Sequence, residues 1–149
     1  MAGSEPILNG YVTVRPFGDM FIPVPVQNML LRNYCTTKGF KYALPLGEHK
    51  YQNCYMQLFA TINLFKTEGK IGMCSAMMLP MGTRLYNQFL EAVLEKNIEI
   101  HCLFEDMCLK SRADFNRASE LMTLRMLADR VDKNSQTIKE FINAEMTRL

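Results

Sequence analysis

The stretch Lys70-Ile-Gly-Met-Cys-Ser-Ala-Met-Met78 is the most continuously apolar run of the chain, and it has no charge after Lys70. Gly69 precedes this run and Leu79-Pro80 interrupts it at its end. Short apolar runs with these boundaries are typical of a strand buried on both faces of a parallel sheet. The run therefore predicts the central strand of an α/β protein.

Three further apolar runs, at 10–14, 40–44 and 98–104, alternate with amphipathic helical patterns at 25–38, 54–67 and 83–96. Gly39 follows the first helical pattern, where a C-terminal cap is expected. Strands that alternate with helices indicate βαβ units with right-handed crossovers. We predict a three-layer α/β fold, Rossmann-like or resolvase-like, with a mostly parallel sheet of four to five strands.

The C-terminal part of the chain has a different, purely helical pattern. Residues 1–110 form the predicted α/β domain, and residues 111–149 form a helical extension that packs on this domain or on a second subunit. Asp114 is a candidate cap, and Asn134-Ser135 predicts a break between two helices. The apolar stripe of the extension predicts a homodimer formed through these helices.

Composition excludes several classes of protein. The 149 residues are 48% hydrophobic and 21% charged, which is the balance of an ordinary globular domain and not of a disordered chain. Seventeen basic against fifteen acidic residues leave a net charge of +2. This charge is too small for a dedicated electrostatic binder of nucleic acid, so no nucleic-acid partner is expected.

The five cysteines are odd in number and no two have the spacing C-x-x-C, which suits buried thiols in a reducing cytoplasm. A zinc site from His49, Cys54 and His101 is conceivable, but their spacing does not support it, so we predict no metal. The N-terminus lacks the features of a signal peptide, and the longest apolar run is too short to span a bilayer. We therefore expect a cytoplasmic protein without membrane insertion.

Ligands of open α/β sheets bind beyond the carboxyl ends of the strands. That rule selects the loops 15–25, 45–53, 75–84 and 105–111. Arg15 and Arg84 could clamp a phosphate or a carboxylate, and His49 could titrate near neutral pH. Each of these side chains is also compatible with a purely structural role. The candidate catalytic residues are Glu48, His49 and Glu105, and the candidate substrate-binding residues are Arg15, Gln27, Asn28, Arg32, Tyr51, Asn53, Ser75 and Arg84.

Motifs of three large enzyme classes are missing from the sequence. There is no G-x-G-x-x-G, no Walker A loop and no G-x-S-x-G elbow. Dinucleotide binding, P-loop chemistry and α/β-hydrolase chemistry are therefore unsupported, and we predict no cofactor.

A series of short motifs over residues 10–110 resembles one known family. The series includes Gly-Tyr-Val-Thr-Val-Arg-Pro-Phe (10–17), Val-Gln-Asn-Met-Leu-Leu-Arg-Asn-Tyr-Cys (26–35), Asn-Cys-Tyr-Met (53–56) and Glu-Ile-His-Cys-Leu-Phe-Glu (99–105). It is similar to the sporadic carbohydrate cluster proteins, an uncharacterised family encoded among bacterial surface-polysaccharide and O-antigen biosynthesis genes. The resemblance implies a role in making or modifying an activated sugar, and it supplies no catalytic residues.

The order of elements also resembles the catalytic domain of serine recombinases, including a long helix after the fourth strand. The nucleophilic serine of that family is expected just after the first strand, where this chain has Arg15-Pro16. The arginine-rich stretch that follows the central strand in that family is reduced here to Arg84. The likeness supports the fold and a dimer, while DNA strand cleavage lacks its nucleophile.

Two functions remain from these observations, with a third weaker one. The first is a protein that binds or modifies a small phosphorylated or nucleotide-linked sugar in surface-polysaccharide synthesis. The second is a non-catalytic dimeric module that partners a carbohydrate-biosynthesis enzyme. The third is a degenerate recombinase-like DNA binder, which the low net charge disfavours. The sequence leaves open whether the protein is an enzyme.

Overall fold

The computed structural model describes residues 5–51 and 53–148. It confirms the predicted fold class: a five-stranded, mostly parallel sheet with helices and a long C-terminal helix. The strands are β1 (Ile7–Gly10), β2 (Lys41–Ala43), β3 (Gly69–Met73), β4 (Ile98–Cys102) and β5 (Met107–Leu109). The helices are α1 (Val24–Lys38), α2 (Met56–Leu64), α3 (Tyr86–Glu95) and α4 (Arg112–Arg148).

The sheet has the strand order β2-β1-β3-β4-β5. Strand β3, which includes the first half of the apolar run 70–78, therefore lies at its centre, as predicted. The pairs β1–β2, β1–β3 and β3–β4 are parallel, with Gly10 opposite Gly72 and Met73 opposite Cys102. Strand β5 pairs with β4 in the antiparallel direction. The carboxyl ends of β1 and β3 therefore lie side by side at one edge of the sheet.

Successive side chains of β3 point to opposite faces of the sheet, and each face is covered by different helices. Ile71 and Met73 belong to the main cluster of buried side chains, together with residues of α2, α3 and α4. A side chain built at Gly72 would instead meet Leu8 of β1 and Leu31 of α1. Helix α1 thus packs against one face, and α2 and α3 against the other, which is the predicted three-layer arrangement.

The two ends of helix α1 are formed by the residues that the sequence predicted. Pro25 lies in its first turn, where the missing N–H costs nothing, and Gly39 ends the helix with φ 75°. The Gly39 N–H donates to the Cys35 carbonyl oxygen. This left-handed conformation favours glycine, because a Cβ atom would be strained there.

The first strand was predicted three residues too late. Strand β1 ends at Gly10, and residues 11–14, which include three β-branched side chains, form a loop in which Tyr11, Val12 and Thr13 are buried and Val14 is exposed. The side chain of Gln27 replaces a neighbouring strand there: it accepts a hydrogen bond from the Thr13 N–H and donates one to the Thr13 carbonyl. β-Branched residues suit any buried extended backbone, so their pattern did not distinguish the loop from a strand.

The region after β4 also differs from the prediction. Residues 107–109, expected in a loop, form β5, because a four-residue turn with Asp106 at φ 50° folds the chain back onto β4. The helix break expected at Asn134-Ser135 is absent, and α4 runs through both residues. Asn and Ser each weaken a helix by well under about 1 kcal/mol, so neither one ends it as glycine or proline would.

In the described part of the chain, no helix combines the length and the apolar character needed to cross a membrane.

Candidate functional site

A cleft of about 460 Å³ lies at the carboxyl ends of β1 and β3, where the sheet rule predicted a site. Its walls are the loop after β1, the turn after β3, the entry to α2 and the middle of α4. The volume is within the range of small-molecule sites. The lining residues are Thr13, Arg15, Pro16, Phe17, Gly18, Asp19, Asn53, Tyr55, Met77, Met78, Leu79, Met81, Thr83, Met126, Asp129, Arg130 and Lys133.

Arg15 is the predicted substrate-binding residue that is most firmly held at this cleft. Its Nη1 donates to the Tyr51 carbonyl at 3.1 Å and to the Cys54 carbonyl at 2.6 Å. The guanidinium also stacks on the Tyr55 ring, with Cζ 4.6 Å from the ring centre. These contacts fix the orientation of the Arg15 guanidinium. Because its hydrogen-bond acceptors are neutral carbonyl groups, they do not neutralise its charge, and Arg15 can still attract an anion into the cleft.

Glu48, a predicted catalytic residue, is buried behind the cleft and is fully occupied by donors. Its carboxylate accepts the Gln57 and Leu58 N–H groups in the first turn of α2, at 3.0–3.2 Å. It also accepts the Tyr11 hydroxyl at 2.9 Å. A carboxylate here complements the partial positive charge of the helix N-terminus. The structure thus gives Glu48 a capping role.

Tyr11 links Glu48 to Arg15, because its hydroxyl also accepts a long hydrogen bond of 3.5 Å from Arg15 Nη2. Burial, and after it the charge of Glu48, raises the pKa of Tyr11 well above its ordinary value. Burial also raises the pKa of Tyr55, although the nearby Arg15 cation opposes that shift. Both phenols therefore stay protonated at neutral pH.

Glu105 and Ser75, predicted as catalytic and substrate-binding respectively, form a pair at the ends of β3 and β4. Ser75 Oγ donates to Glu105 Oε1 at 2.6 Å, and the Ala76 N–H donates to Glu105 Oε2. Ser75 is fully buried. Burial, and then the Glu105 carboxylate, raises the pKa of the Cys74 thiol to about 11. The pair holds the turn after β3 beneath the cleft.

The remaining predicted site residues are spread over the molecule. Asn53 lines the cleft, while Gln27 lies behind it in the loop contacts described above. Asn28 accepts the Tyr42 hydroxyl on the α1 side of the sheet. Exposed positions outside the lining of the cleft are occupied by Arg32, His49, Tyr51 and Arg84. The predicted clamp of Arg15 with Arg84 is not assembled at this cleft, because Arg84 is exposed and is not one of its lining residues.

The residues that α4 contributes to the cleft were not predicted from the sequence. Met126, Asp129, Arg130 and Lys133 recur at helical spacing and face the cleft, and Lys133 Nζ lies 3.4 Å from Asp19 Oδ1 across its mouth. The spacing of these four residues was visible in the sequence. Only the direction in which α4 leaves β5 shows which face of the helix meets the strand ends.

Gly18 shapes the opposite rim of the cleft. It adopts φ 62°, and a side chain there would collide with Met77. The left-handed conformation favours glycine here, and any other residue would also require the flexible end of the Met77 side chain to move. Among the described residues, no serine or cysteine lines the cleft.

Comparison with known proteins supports the fold. The structure is similar to the crystal structure of the N-terminal catalytic domain of TP901-1 integrase, with a TM-score of 0.54, 12% identity, and coverage of 84% of this chain and 98% of that chain. This likeness agrees with the resemblance in layout to recombinase catalytic domains, and at this identity it concerns the fold alone. No protein-family model matches the chain. No curated protein matches it either, so the resemblance to carbohydrate cluster proteins stays a prediction.

Proposed function

We propose that this protein binds a small phosphorylated or nucleotide-linked sugar in the cleft at the strand ends, within bacterial surface-polysaccharide synthesis. The observation that supports this most directly is the composition of the cleft. Three cations, Arg15, Arg130 and Lys133, face two carboxylates, Asp19 and Asp129. The excess of cations favours an anion, and the carboxylates and Asn53 can accept or donate hydrogen bonds with sugar hydroxyls.

The proposal is for binding and leaves the reaction open. Glu48 and Glu105, two of the three predicted catalytic residues, are already occupied by backbone and hydroxyl donors. The partly exposed side chains of Met77, Met81 and Met126 provide apolar surface for a sugar ring or a base. Cations together with apolar surface in one cleft match a ligand that has both a charged group and a ring.

Thermal unfolding with glucose 1-phosphate, UDP-glucose and inorganic phosphate tests the proposal. A ligand at 100 times its Kd stabilises the folded state by about 2.7 kcal/mol, which is a clear shift of Tm. We expect a sugar phosphate or the nucleotide sugar to raise Tm more than phosphate does. Arg130→Ala, which removes an exposed cation of the cleft, should reduce the shift, while Lys139→Ala on the same helix should not.

Two results would contradict this proposal. One is an unchanged Tm with every sugar phosphate and nucleotide sugar tested. The other is equal stabilisation of the wild type and the Arg130→Ala variant, which would place the ligand elsewhere.

A second candidate is a dimeric interaction module, and the outer face of α4 favours it. Phe115, Ala118 and Met122 of α4 are buried against the domain. On the opposite side of the helix, apolar residues at spacings of three, four and seven are exposed to solvent. This outer stripe consists of Leu121, Leu124, Leu127, Val131, Ile138, Ile142 and Met146. A second copy of α4 would cover it in the manner of a coiled coil.

Light scattering coupled to gel filtration tests the dimer. Ile138→Glu puts a charge in the outer stripe and should shift the protein toward the monomer. Gln136→Glu adds the same charge outside the stripe and should leave the dimer intact. A wild-type protein that is monomeric at every concentration would exclude this candidate without affecting the first.

A further inference from the structure

A cluster of metal-ligand residue types lies far from the cleft, on the face of the sheet that α1 covers. Glu99 and His101 are two residues apart in β4 and therefore point to the same face. Cys108 of β5 is the cross-strand partner of His101 in the antiparallel pair. Neighbouring side chains of such a pair lie close together. The β4–β5 turn thus brings together three ligands that have no recognisable spacing in the sequence.

The distances within this cluster suit one metal ion. His101 Nε2 lies 3.1 Å from Glu99 Oε2 and 3.6 Å from Cys108 Sγ, and all three ligand atoms lie within 4.8 Å of one another. Zinc bonds of about 2.0–2.3 Å at tetrahedral angles hold their ligand atoms roughly 3.2–3.8 Å apart. The separation of His101 from Cys108 is in that range, the separation of His101 from Glu99 is about 0.1 Å below it, and a rotation of the Glu99 side chain adjusts the two distances that involve its carboxylate.

The imidazole of His101 is held in place by residues that do not belong to the cluster. Its Nδ1 lies 2.7 Å from the Tyr34 hydroxyl, and the rings of Tyr34 and Phe40 contact it edge to face. When Nδ1–H donates to that hydroxyl, Nε2 presents its lone pair toward Glu99 and Cys108. An outer hydrogen bond of this kind is the usual support of a metal-ligating histidine.

Two lysines compete for the same carboxylate. Lys70 Nζ lies 2.6 Å from Glu99 Oε2, and Lys110 Nζ lies 3.4 Å from Oε1. Lys110 is mostly exposed and can swing away on its flexible stem. Lys70 occupies the oxygen that a metal would take, so the cation of Lys70 and a metal ion exclude each other at Oε2.

We propose that Glu99, His101 and Cys108 form a site for a divalent cation of intermediate softness, of the zinc class. One carboxylate, one imidazole and one thiolate supply three ligands, and the exposed side of Cys108 leaves the fourth position to water. Binding releases the thiol proton of Cys108 to solvent and displaces the Lys70 ammonium from Glu99. This site differs from the one that the sequence suggested as conceivable, since it includes neither His49 nor Cys54.

Titration of the full chain with Co²⁺, followed by competition with Zn²⁺, tests the site. Cobalt bound to a thiolate has a charge-transfer band that cobalt bound only to oxygen lacks. We expect this band in the wild type and its loss in Cys108→Ser, whereas Cys54→Ser, which removes a distant thiol, should retain it. Cys108 is exposed, so its substitution should leave the fold intact.

Two further variants separate a metal site from an ordinary ion-pair network. Tyr34→Phe removes the support of His101 and should weaken Co²⁺ binding by about 10–100-fold. Lys70→Met removes the competing cation and should strengthen binding. A wild type without the thiolate band, a band that persists in Cys108→Ser, or weaker binding in Lys70→Met would overturn the proposal.

Discussion

At the scale of the residue, Glu48 shows how burial assigns a role to a side chain. In the sequence it is a loop carboxylate beside a histidine, which suits a general acid or base. In the structure it is buried and accepts hydrogen bonds from Tyr11, Gln57 and Leu58. A buried carboxylate with this many donors is a structural acceptor, because removing it would leave those donors without partners.

Replacing Glu48 with alanine should therefore destabilise the protein. Each buried donor left without an acceptor costs about 1–3 kcal/mol, and Glu48→Ala leaves several. Urea unfolding measures the change, with Glu91→Ala on the exposed surface of α3 as the control, for which we expect a change within about 0.5 kcal/mol. Equal stability of the two variants would show that Glu48 does not have this capping role.

At the scale of the element, the start of α4 is built by a reciprocal pair of side chains. The Asp114 N–H donates to Ser111 Oγ, and Asp114 Oδ2 accepts the N–H groups of Ser111 and Lys110. This is a capping box with aspartate in the place of glutamate. The sequence predicted Asp114 as a cap, and the structure adds Ser111 as its partner. The two side chains together define where the turn after β5 ends and α4 begins.

Asp114→Ala should lower the free energy of unfolding by about 0.5–2 kcal/mol at neutral pH. The N–H groups of Lys110 and Ser111 lower the pKa of Asp114 below its ordinary value of 3.8. The stabilisation from this carboxylate is therefore present above pH 3.8 and is lost as the pH falls through the folded-state pKa. Chemical denaturation measures this: the free energies of unfolding of Asp114→Ala and the wild type should differ less at acidic pH than at neutral pH. As a control, the exposed Asp132→Ala should have nearly the wild-type free energy of unfolding at both pH values.

At the scale of the whole molecule, α4 is attached to the sheet near its beginning and extends beyond it. Phe115 is fully buried and packs edge to face on Phe89 of α3, with ring centres 6.0 Å apart. A helix of 37 residues is about 55 Å long, longer than the sheet is wide. One helix thus contributes to the core, to the cleft through Arg130 and Lys133, and to the exposed outer stripe.

Phe115→Ala should cost about 3–5 kcal/mol of stability, because it opens a cavity in the core. Phe141→Ala is the matched control: the same side chain is removed from the same helix at a largely exposed position. Chemical denaturation at low protein concentration should give a change within about 0.5 kcal/mol for the control. Similar losses for both variants would mean that the distal part of α4 is packed in solution.

The sequence by itself determined the alternation of strands and helices, and the caps at Gly39 and Asp114. It also located the central strand, but this strand is Gly69–Met73 and not the whole of 70–78, because the second half of that run forms a turn and a 3-10 helix at Ala76–Met78. These features depend on local periodicity and on backbone preferences, which are readable residue by residue. Only the tertiary structure decided that residues 11–14 form a loop, that α4 closes the cleft, and that Glu99, His101 and Cys108 meet across a turn. Each of these depends on contacts between different elements, such as the Gln27 side chain with the Thr13 backbone or β5 with β4, and such contacts leave no period in the sequence.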